Sequence, residues 1–260
     1  MKIATWNVNS VKARLPTVLA WFDDAKPDVA CLQEIKCEDD GFPRLEFEDR
    51  GYNVETHGQK TYNGVALLSK LPIEETLKGL PGDDGDDHAR YLEAVVSADA
   101  GPVRIASLYL PNGNPIDTEK FGYKLAWFER LRARARELLS YEEPVVLAGD
   151  YNVIPRDDDV WDPKAWEGDA LFQPESRAAW RTLLHLGYTD AYMAADGRIH
   201  QYTFWDYQRG AWAKDHGIRI DHLACSPQAA DALEAVTIHR DARAMEKPSD
   251  HVPVVGEFAL

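Results

Sequence analysis

Short apolar runs that each stop at an amide, a carboxylate or an imidazole recur along the whole chain, and this recurrence limits what it can fold into. Lys2-Ile3-Ala4-Thr5-Trp6 alternates with the period of a strand and stops at Asn7-Val8-Asn9. Asp28-Val29-Ala30-Cys31-Leu32 stops at Gln33-Glu34, and Pro144-Val145-Val146-Leu147-Ala148 runs into Gly149-Asp150-Tyr151-Asn152. Arg219-Ile220-Asp221-His222-Leu223 carries a carboxylate between apolar neighbours, and Lys247-Pro248-Ser249-Asp250-His251 leads into the apolar run Val252 to Phe258. Five strands thereby deliver Asn7, Glu34, Asp150, Asn152, Asp221, Asp250 and His251 to their ends.

Helical stretches lie between the strands. Leu15 to Asp24, Thr118 to Leu139, Pro174 to Leu186 and Pro227 to Leu233 read as helices, the second with Leu125, Phe128, Leu131 and Leu138 near helical spacing. Further strands are expected at 52–57, 64–69, 91–97 and 103–109. So many strands among helices predict an α/β protein with two packed sheets flanked by helices rather than one parallel sheet. Lys2 to Asn9 and Val103 to Asn112 share a strand-then-Asn form, as a duplicated half would. No low-complexity linker divides the chain, and 45% hydrophobic content suffices for a sizeable core, so 1–260 is expected to form a single catalytic domain.

Composition excludes some classes of function. No apolar stretch approaches membrane length and the chain opens on a strand, so no membrane partner and a cytoplasmic location are expected. Cys31, Cys37 and Cys225 have no metal-type spacing, and an odd count points to reduced thiols, with Cys31 and Cys225 in apolar strand runs read as core fillers.

The chemistry follows from the strand ends. As a metal set, Asn7, Glu34, Asp150, Asn152, Asp250 and His251 offer hard oxygen ligands, two amides and one imidazole. That set suits Mg²⁺, with Mn²⁺ as a substitute, and phosphate; zinc would want more His or Cys. The convergence points to phosphoester hydrolysis.

Thr5-Trp6-Asn7-Val8-Asn9-Ser10, Leu32-Gln33-Glu34-Ile35-Lys36, Tyr62-Asn63-Gly64-Val65-Ala66, Gly149-Asp150-Tyr151-Asn152, Arg219-Ile220-Asp221 and Pro248-Ser249-Asp250-His251 stand in that order. Together they resemble the exonuclease III family of DNA-repair nucleases, the AP endonucleases of the endonuclease/exonuclease/phosphatase superfamily. The resemblance spans residues 5 to 251 and implies a four-layered α/β sandwich. It also implies roles. Glu34 matches the principal metal ligand, with Asn7 beside metal and phosphate. Asp150 matches the residue that activates or orients water, and Asn152 its partner in holding the phosphate. Asp221 matches the group that orients His251 toward a phosphate oxygen, and Tyr109 a tyrosine whose hydroxyl contacts the phosphate. Tyr151 departs from the Trp of many relatives, leaving Asp150-x-Asn152 intact.

Substrate class is the remaining expectation. With 29 basic against 44 acidic residues the net charge is −15, which opposes a polyanion, so local cations must outweigh the average field. Glu38-Asp39-Asp40, Asp83-Asp84-Gly85-Asp86-Asp87 and Asp157-Asp158-Asp159 read as solvated loops that hold acid away from the site. The resemblance implies that Lys60 and Arg90 face the DNA backbone, and that Phe204, Trp205, Trp212 and Ile218 surround a pocket for a base-less sugar. The expected reaction is hydrolysis 5′ of abasic sites in double-stranded DNA, with 3′-to-5′ exonuclease and 3′-end cleaning activity, by a monomer. One alternative is a phosphodiesterase or phosphomonoesterase of the same superfamily acting on a small or lipid substrate. The other is a DNA-binding module that has lost catalysis, which would have lost a ligand or dyad residue; none is lost here.

Overall fold

The computed structural model describes residues 1–260. Chain order begins β1 (Lys2–Asn7), α1 (Leu15–Ala25), β2 (Val29–Gln33), α2 (Arg44–Glu48), β3 (Asn53–His57), β4 (Val65–Ser69), β5 (Ile73–Lys78), β6 (Tyr91–Ala98) and β7 (Gly101–Tyr109). It continues α3 (Glu119–Leu139), β8 (Val145–Asp150), α4 (Pro163–Trp166), α5 (Pro174–Leu184), β9 (Thr189–Asp190), α6 (Ala191–Ala195), β10 (Asp221–Cys225), α7 (Pro227–Asp231), β11 (Leu233–Ile238) and β12 (Val254–Phe258).

The strands form two six-stranded mixed sheets, ordered β11-β12-β1-β2-β4-β3 and β5-β6-β7-β8-β10-β9. In each sheet one pair is parallel, β1 with β2 and β7 with β8. A parallel neighbour needs a crossover, which α1 and α3 supply. The two sheets thus repeat one pattern with the chain entering at a different point, and β1 and β7 occupy the same third place. Both bulged strands, β5 and β11, are the first edge of their sheet.

Alternation along the strands builds four layers. Ile3, Val29, Cys31, Val65 and Leu67 face Ile105, Val146, Ala148, Leu223 and Cys225 between the sheets. On the outer face of the first sheet Ala4, Trp6, Ala30 and Leu32 meet Val18, Trp21 and Phe22 of α1 and Phe47 of α2. On the outer face of the second, Ala106, Leu108, Val145 and Leu147 meet Trp127, Phe128, Leu131 and Leu138 of α3 and Trp180 of α5. All three cysteines are buried and free. No helix is long and apolar enough to cross a membrane.

Several element ends differ from the expectation. Thr118 caps α3, its side chain accepting from the Lys120 amide, and is not itself helical. On α3 the buried face carries Lys124 and Trp127, while Leu125 is only partly covered. The helix at Pro227 ends at Asp231, and Leu233 starts β11. Strands β5, β9 and β11 were not expected, since edge strands exposed along much of their length carry little apolar alternation.

Candidate active site

Every polar strand end lies on one rim of the paired sheets. Asn7, Tyr109 and Asp150 are the last residues of β1, β7 and β8, and Asp221 is the first of β10, directly opposite Asp150. The chain must turn sharply there, and Asn9, Glu34, Lys36 and Asn152 all take left-handed backbone conformations, with φ of 44°, 50°, 54° and 46°. Such non-glycine residues cost roughly 1–3 kcal/mol each and persist where the surroundings fix them. Two glycines permit the close approaches. A Cβ on Gly64 would sit 2.5 Å from the Ile35 side chain, and one on Gly149 would sit 2.0 Å from the Leu108 carbonyl oxygen.

At the centre, buried Asn7 donates through Nδ2 to Glu34 Oε1 (2.8 Å) and to Asp150 Oδ2 (3.0 Å), while its Oδ1 accepts from the Asn9 amide (3.0 Å). His251 Nδ1 lies 2.9 Å from Asp221 Oδ2, and its Nε2 lies 3.7 Å from Asp150 Oδ2. Ser249 ties the loop down by donating to the Asn7 carbonyl (2.7 Å) and accepting from the His251 amide (3.2 Å). Asn152 donates its amide N–H to Asp150 Oδ1 (2.9 Å) and Nδ2 to the Leu110 carbonyl (2.9 Å). Arg90 sits 4.7 Å from the Tyr109 ring centroid and donates to the Tyr109 carbonyl (3.3 Å).

Charge is distributed unevenly across this cluster. Burial alone would lower the His251 imidazolium, but Asp221, Asp150 and Asp250 outweigh it and hold the ring protonated well above the usual histidine range. Burial pushes the Asp150 carboxyl up, opposed by His251. At Glu34 burial is outweighed by Lys36, Asn7 and His251, which keep the carboxyl ionised. Burial, then Glu34 and Asp150, keeps the Tyr109 hydroxyl protonated far above its ordinary value.

Glu34, Asp150 and His251 bring one potential ligand atom each within 4.8 Å of one another. Two carboxylates with an amide suit a hard divalent cation. His251 is the third member of the triad; Asp221 engages its Nδ1, so Nε2 is the atom it turns to the site. Asn7 turns its NH₂ to the two carboxylates and so fixes their orientation. Asp250 lies outside the triad, accepting from Asn9 (3.1 Å) and Ser249 (3.3 Å). The Asn152 oxygen accepts from Asn112 (3.2 Å). Glu34, Asp150 and His251 are thus the residues placed to share a cation.

The expected DNA contacts are only partly brought together. Lys60 is exposed, in a loop held beside Arg90 because Gln59 accepts from the Ala89 amide (3.0 Å). Phe204 packs edge-on against His251, 4.9 Å between centroids, and lines an open cleft. Trp205 is 0% exposed and donates to Asp215 (2.9 Å), so it is core and not a DNA contact. Ile218 is 1% exposed, packed under Phe204 through a strand-like bridge to it. Trp212 stacks edge-on against Trp205 under Arg240, away from the lining of the Phe204 cleft. Trp161, Trp166 and His216 line that cleft instead. Two tryptophans in the polar, proline-containing segment Trp161-Asp162-Pro163-Lys164-Ala165-Trp166 were the signal for them.

Behind the rim, Lys124 is fully buried and donates to the carbonyls of Asn112 (3.0 Å) and Asn152, tying the exits of β7 and β8 to α3. Burial pushes its ammonium down to about 7. Arg219, 1% exposed, pairs with Asp159 (2.8 Å) and Asp190 (3.0 Å) and fixes the backbone just before Asp221.

Known proteins carry the same architecture. Residues 4–251 match the family model described as the Endonuclease/Exonuclease/phosphatase family. The chain is 34% identical to an exodeoxyribonuclease III of Haemophilus influenzae, over 99% of this chain and 100% of that one. The structure of a 3′ phosphatase from Neisseria, NExo, bound to product DNA hairpin, superposes with a TM-score of 0.96 at 38% identity, covering 100% of both chains. An AP endonuclease from Archaeoglobus fulgidus superposes with a TM-score of 0.94 at 35% identity, again over 100% of both. With that fold, those motifs and this full-length similarity, the chain belongs to the endonuclease/exonuclease/phosphatase family, in its exonuclease III branch of AP endonucleases.

Proposed function

We propose that the chain is a DNA-repair nuclease that hydrolyses the phosphodiester 5′ of abasic sites and also trims and cleans 3′ ends, dependent on Mg²⁺ with Mn²⁺ as a substitute. The observation that carries this reading is the His251 arrangement, Nδ1 on Asp221 at 2.9 Å and Nε2 toward Asp150 at 3.7 Å, beside the Glu34 carboxylate. Similarity to nucleases and a DNA 3′ phosphatase over the whole chain supports the substrate class. The site draws residues from 7 to 251 of one chain, which supports a monomer acting as one catalytic domain; size-exclusion chromatography tests it.

Each residue then has a task. Glu34 and Asp150 would hold the cation, whose chemistry when bound is to neutralise charge on phosphate oxygens. Asp150, fixed by the Asn152 amide and Asn7, activates or orients the attacking water. His251, fixed by Asp221 and kept cationic, donates through Nε2 to the phosphate oxygen as negative charge grows there. Tyr109 keeps its proton and offers it as a further donor. Asn7 keeps the two carboxylates in register.

Purified protein is assayed on duplexes carrying an abasic site, a recessed 3′ end or a 3′ phosphate. Activity should vanish in EDTA and return with Mg²⁺ or Mn²⁺, and Glu34→Ala should raise the metal requirement or abolish turnover. Full activity in EDTA overturns the mechanism, and faster turnover of a small phosphoester than of any DNA moves the reading to the phosphatase branch.

A further inference from the structure

The cleft beside His251 holds about 460 Å³ and has aromatic walls, Trp161, Trp166, Phe204 and His216. It starts one ring away from the catalytic imidazole, because Phe204 stands between them. Trp161 and His216 lie face to face, 3.7 Å between centroids and 5° between planes. The pair is held from the backbone, where the Trp161 amide donates to the Gly217 carbonyl at 3.1 Å and Val160 bridges Ile218. Trp161 nevertheless keeps 36% of its surface in water. A rigid, half-open aromatic pair beside a catalytic group offers a π-surface to a ligand. Two cations, Arg209 and Lys214, and a single acid, Asp206, also line the cleft, so it is locally positive in a chain of net charge −15.

Volume and wall chemistry narrow the occupant. The cleft falls in the range of small-ligand sites, roughly 300–1,000 Å³, and is roomier than a base-less sugar needs. A base-less sugar would cover only part of its aromatic walls. Nucleobases stack on such surfaces whatever their identity. We propose that the cleft is a base-binding subsite, in which the Trp161–His216 pair and Trp166 receive the unpaired base of the nucleotide next to the cleaved phosphodiester, while Arg209 and Lys214 meet its phosphates. This rests on the nuclease reading. A base reaches the cleft only when it leaves the duplex, which requires least energy for a frayed or mismatched terminus. Trp161, Trp166 and His216 thus determine specificity by favouring ends that carry an unpaired base.

Binding in EDTA, where turnover is not needed, separates this inference from the nuclease reading. The probe is a duplex ending in an unpaired 3′ 2-aminopurine, compared with the same duplex ending in a base-less sugar. The full-length protein should change the 2-aminopurine fluorescence on binding and prefer the base-bearing end. Trp161→Ala and Trp166→Ala should weaken that end about tenfold, at least several-fold more than the base-less end, and Trp161→Phe should restore most of the loss. Equal losses on both ends, no fluorescence response, or no rescue by phenylalanine in a normally folded variant overturns the proposal. Absence of turnover on every DNA in Mg²⁺, with the fluorescence response intact, would instead sink the nuclease reading and leave the base site standing.

Discussion

His251 and Asp150 illustrate what a single residue type does and does not reveal. That an imidazole and a carboxylate sit at strand ends is visible in the letters, but their charge states come from the company they keep. Three carboxylates around one buried ring hold it protonated, which suits His251 to donate to developing negative charge. The direction of the Asn7 amide is likewise set by its company, the Asn9 backbone N–H and two neighbouring carboxylates. Both acting groups work on the transition state more than on the bound duplex. Asp150→Asn and His251→Ala should each lower turnover by about 10²- to 10⁴-fold while DNA affinity stays within roughly tenfold, since general-base and oxyanion contributions have that size. Single-turnover rates and filter binding read the two effects separately, and near-parental turnover in either variant removes its assigned role. Trp205 and Ile218 mark the other side of legibility. Aromatic and branched residues read alike in a pocket wall and in a core, and only burial tells that these two are core.

Elements were more legible where they are buried on both faces. β2, β4 and β8 are covered along their whole length and stand out as apolar runs, whereas β5 and β11 lie at sheet edges and carry mixed residues. The turn chemistry was readable as motif but not as cause: Gly149 is required because β7 passes against it, a contact 41 positions away in sequence. The start of β10 depends on a buried polar cluster that alternation could not reveal. His222 Nε2 lies 3.1 Å from the Val153 carbonyl, and its Nδ1 lies 3.0 Å from Arg219 Nη1, a pairing that only a neutral ring with its proton on Nε2 satisfies. Burial, then the Arg219 charge, pushes the His222 pKa down to about 4. A base whose folded pKa is depressed contributes stability that is fully present above its unfolded value, about 6.5, and is lost as pH falls toward the folded value. At about 1.4 kcal/mol per pH unit the loss reaches the order of 3 kcal/mol by pH 4. Asp150 shifts in the opposite sense over the same range, so the parent alone would mask the effect. The stability difference between the parent and His222→Gln, followed by urea unfolding from pH 7 to 4, should therefore shrink by about that amount. A difference that stays constant with pH would mean that His222 does not titrate in the unfolded-to-folded step.

At the scale of the whole molecule, the repeated sheet pattern places two sets of strand exits on one rim, and the charge must be arranged around that rim if DNA is to approach. The acidic runs are not simply solvated. Asp39 accepts from the Gly58 amide (2.7 Å) and pairs with Lys78 (3.2 Å), Asp86 pairs with Arg130 (2.6 Å) and Asp159 with Arg219 (2.8 Å), so one member of each run holds a loop in place. The remaining acid still leaves a net charge of −15. Salt screens this long-range repulsion while it also weakens each phosphate contact, and the two effects oppose one another. The overall salt dependence of binding should accordingly be shallower than the number of contacts implies. Within it, Lys60→Ala and Arg90→Ala should each weaken binding and reduce the slope of log affinity against log salt by about one, the counterion released per phosphate contact. Arg90 has a second task, because its guanidinium lies over the Tyr109 ring and donates to the Tyr109 carbonyl. Lysine keeps the charge but neither the planar stacking nor the forked donors. Arg90→Lys should therefore recover the salt slope lost in Arg90→Ala without recovering its turnover, whereas for exposed Lys60 the exchange to Arg should recover both. Equilibrium titrations at several salt concentrations, paired with turnover on one abasic duplex, decide the matter. If Arg90→Lys restored slope and turnover together, the cation over Tyr109 would be a phosphate contact and nothing more.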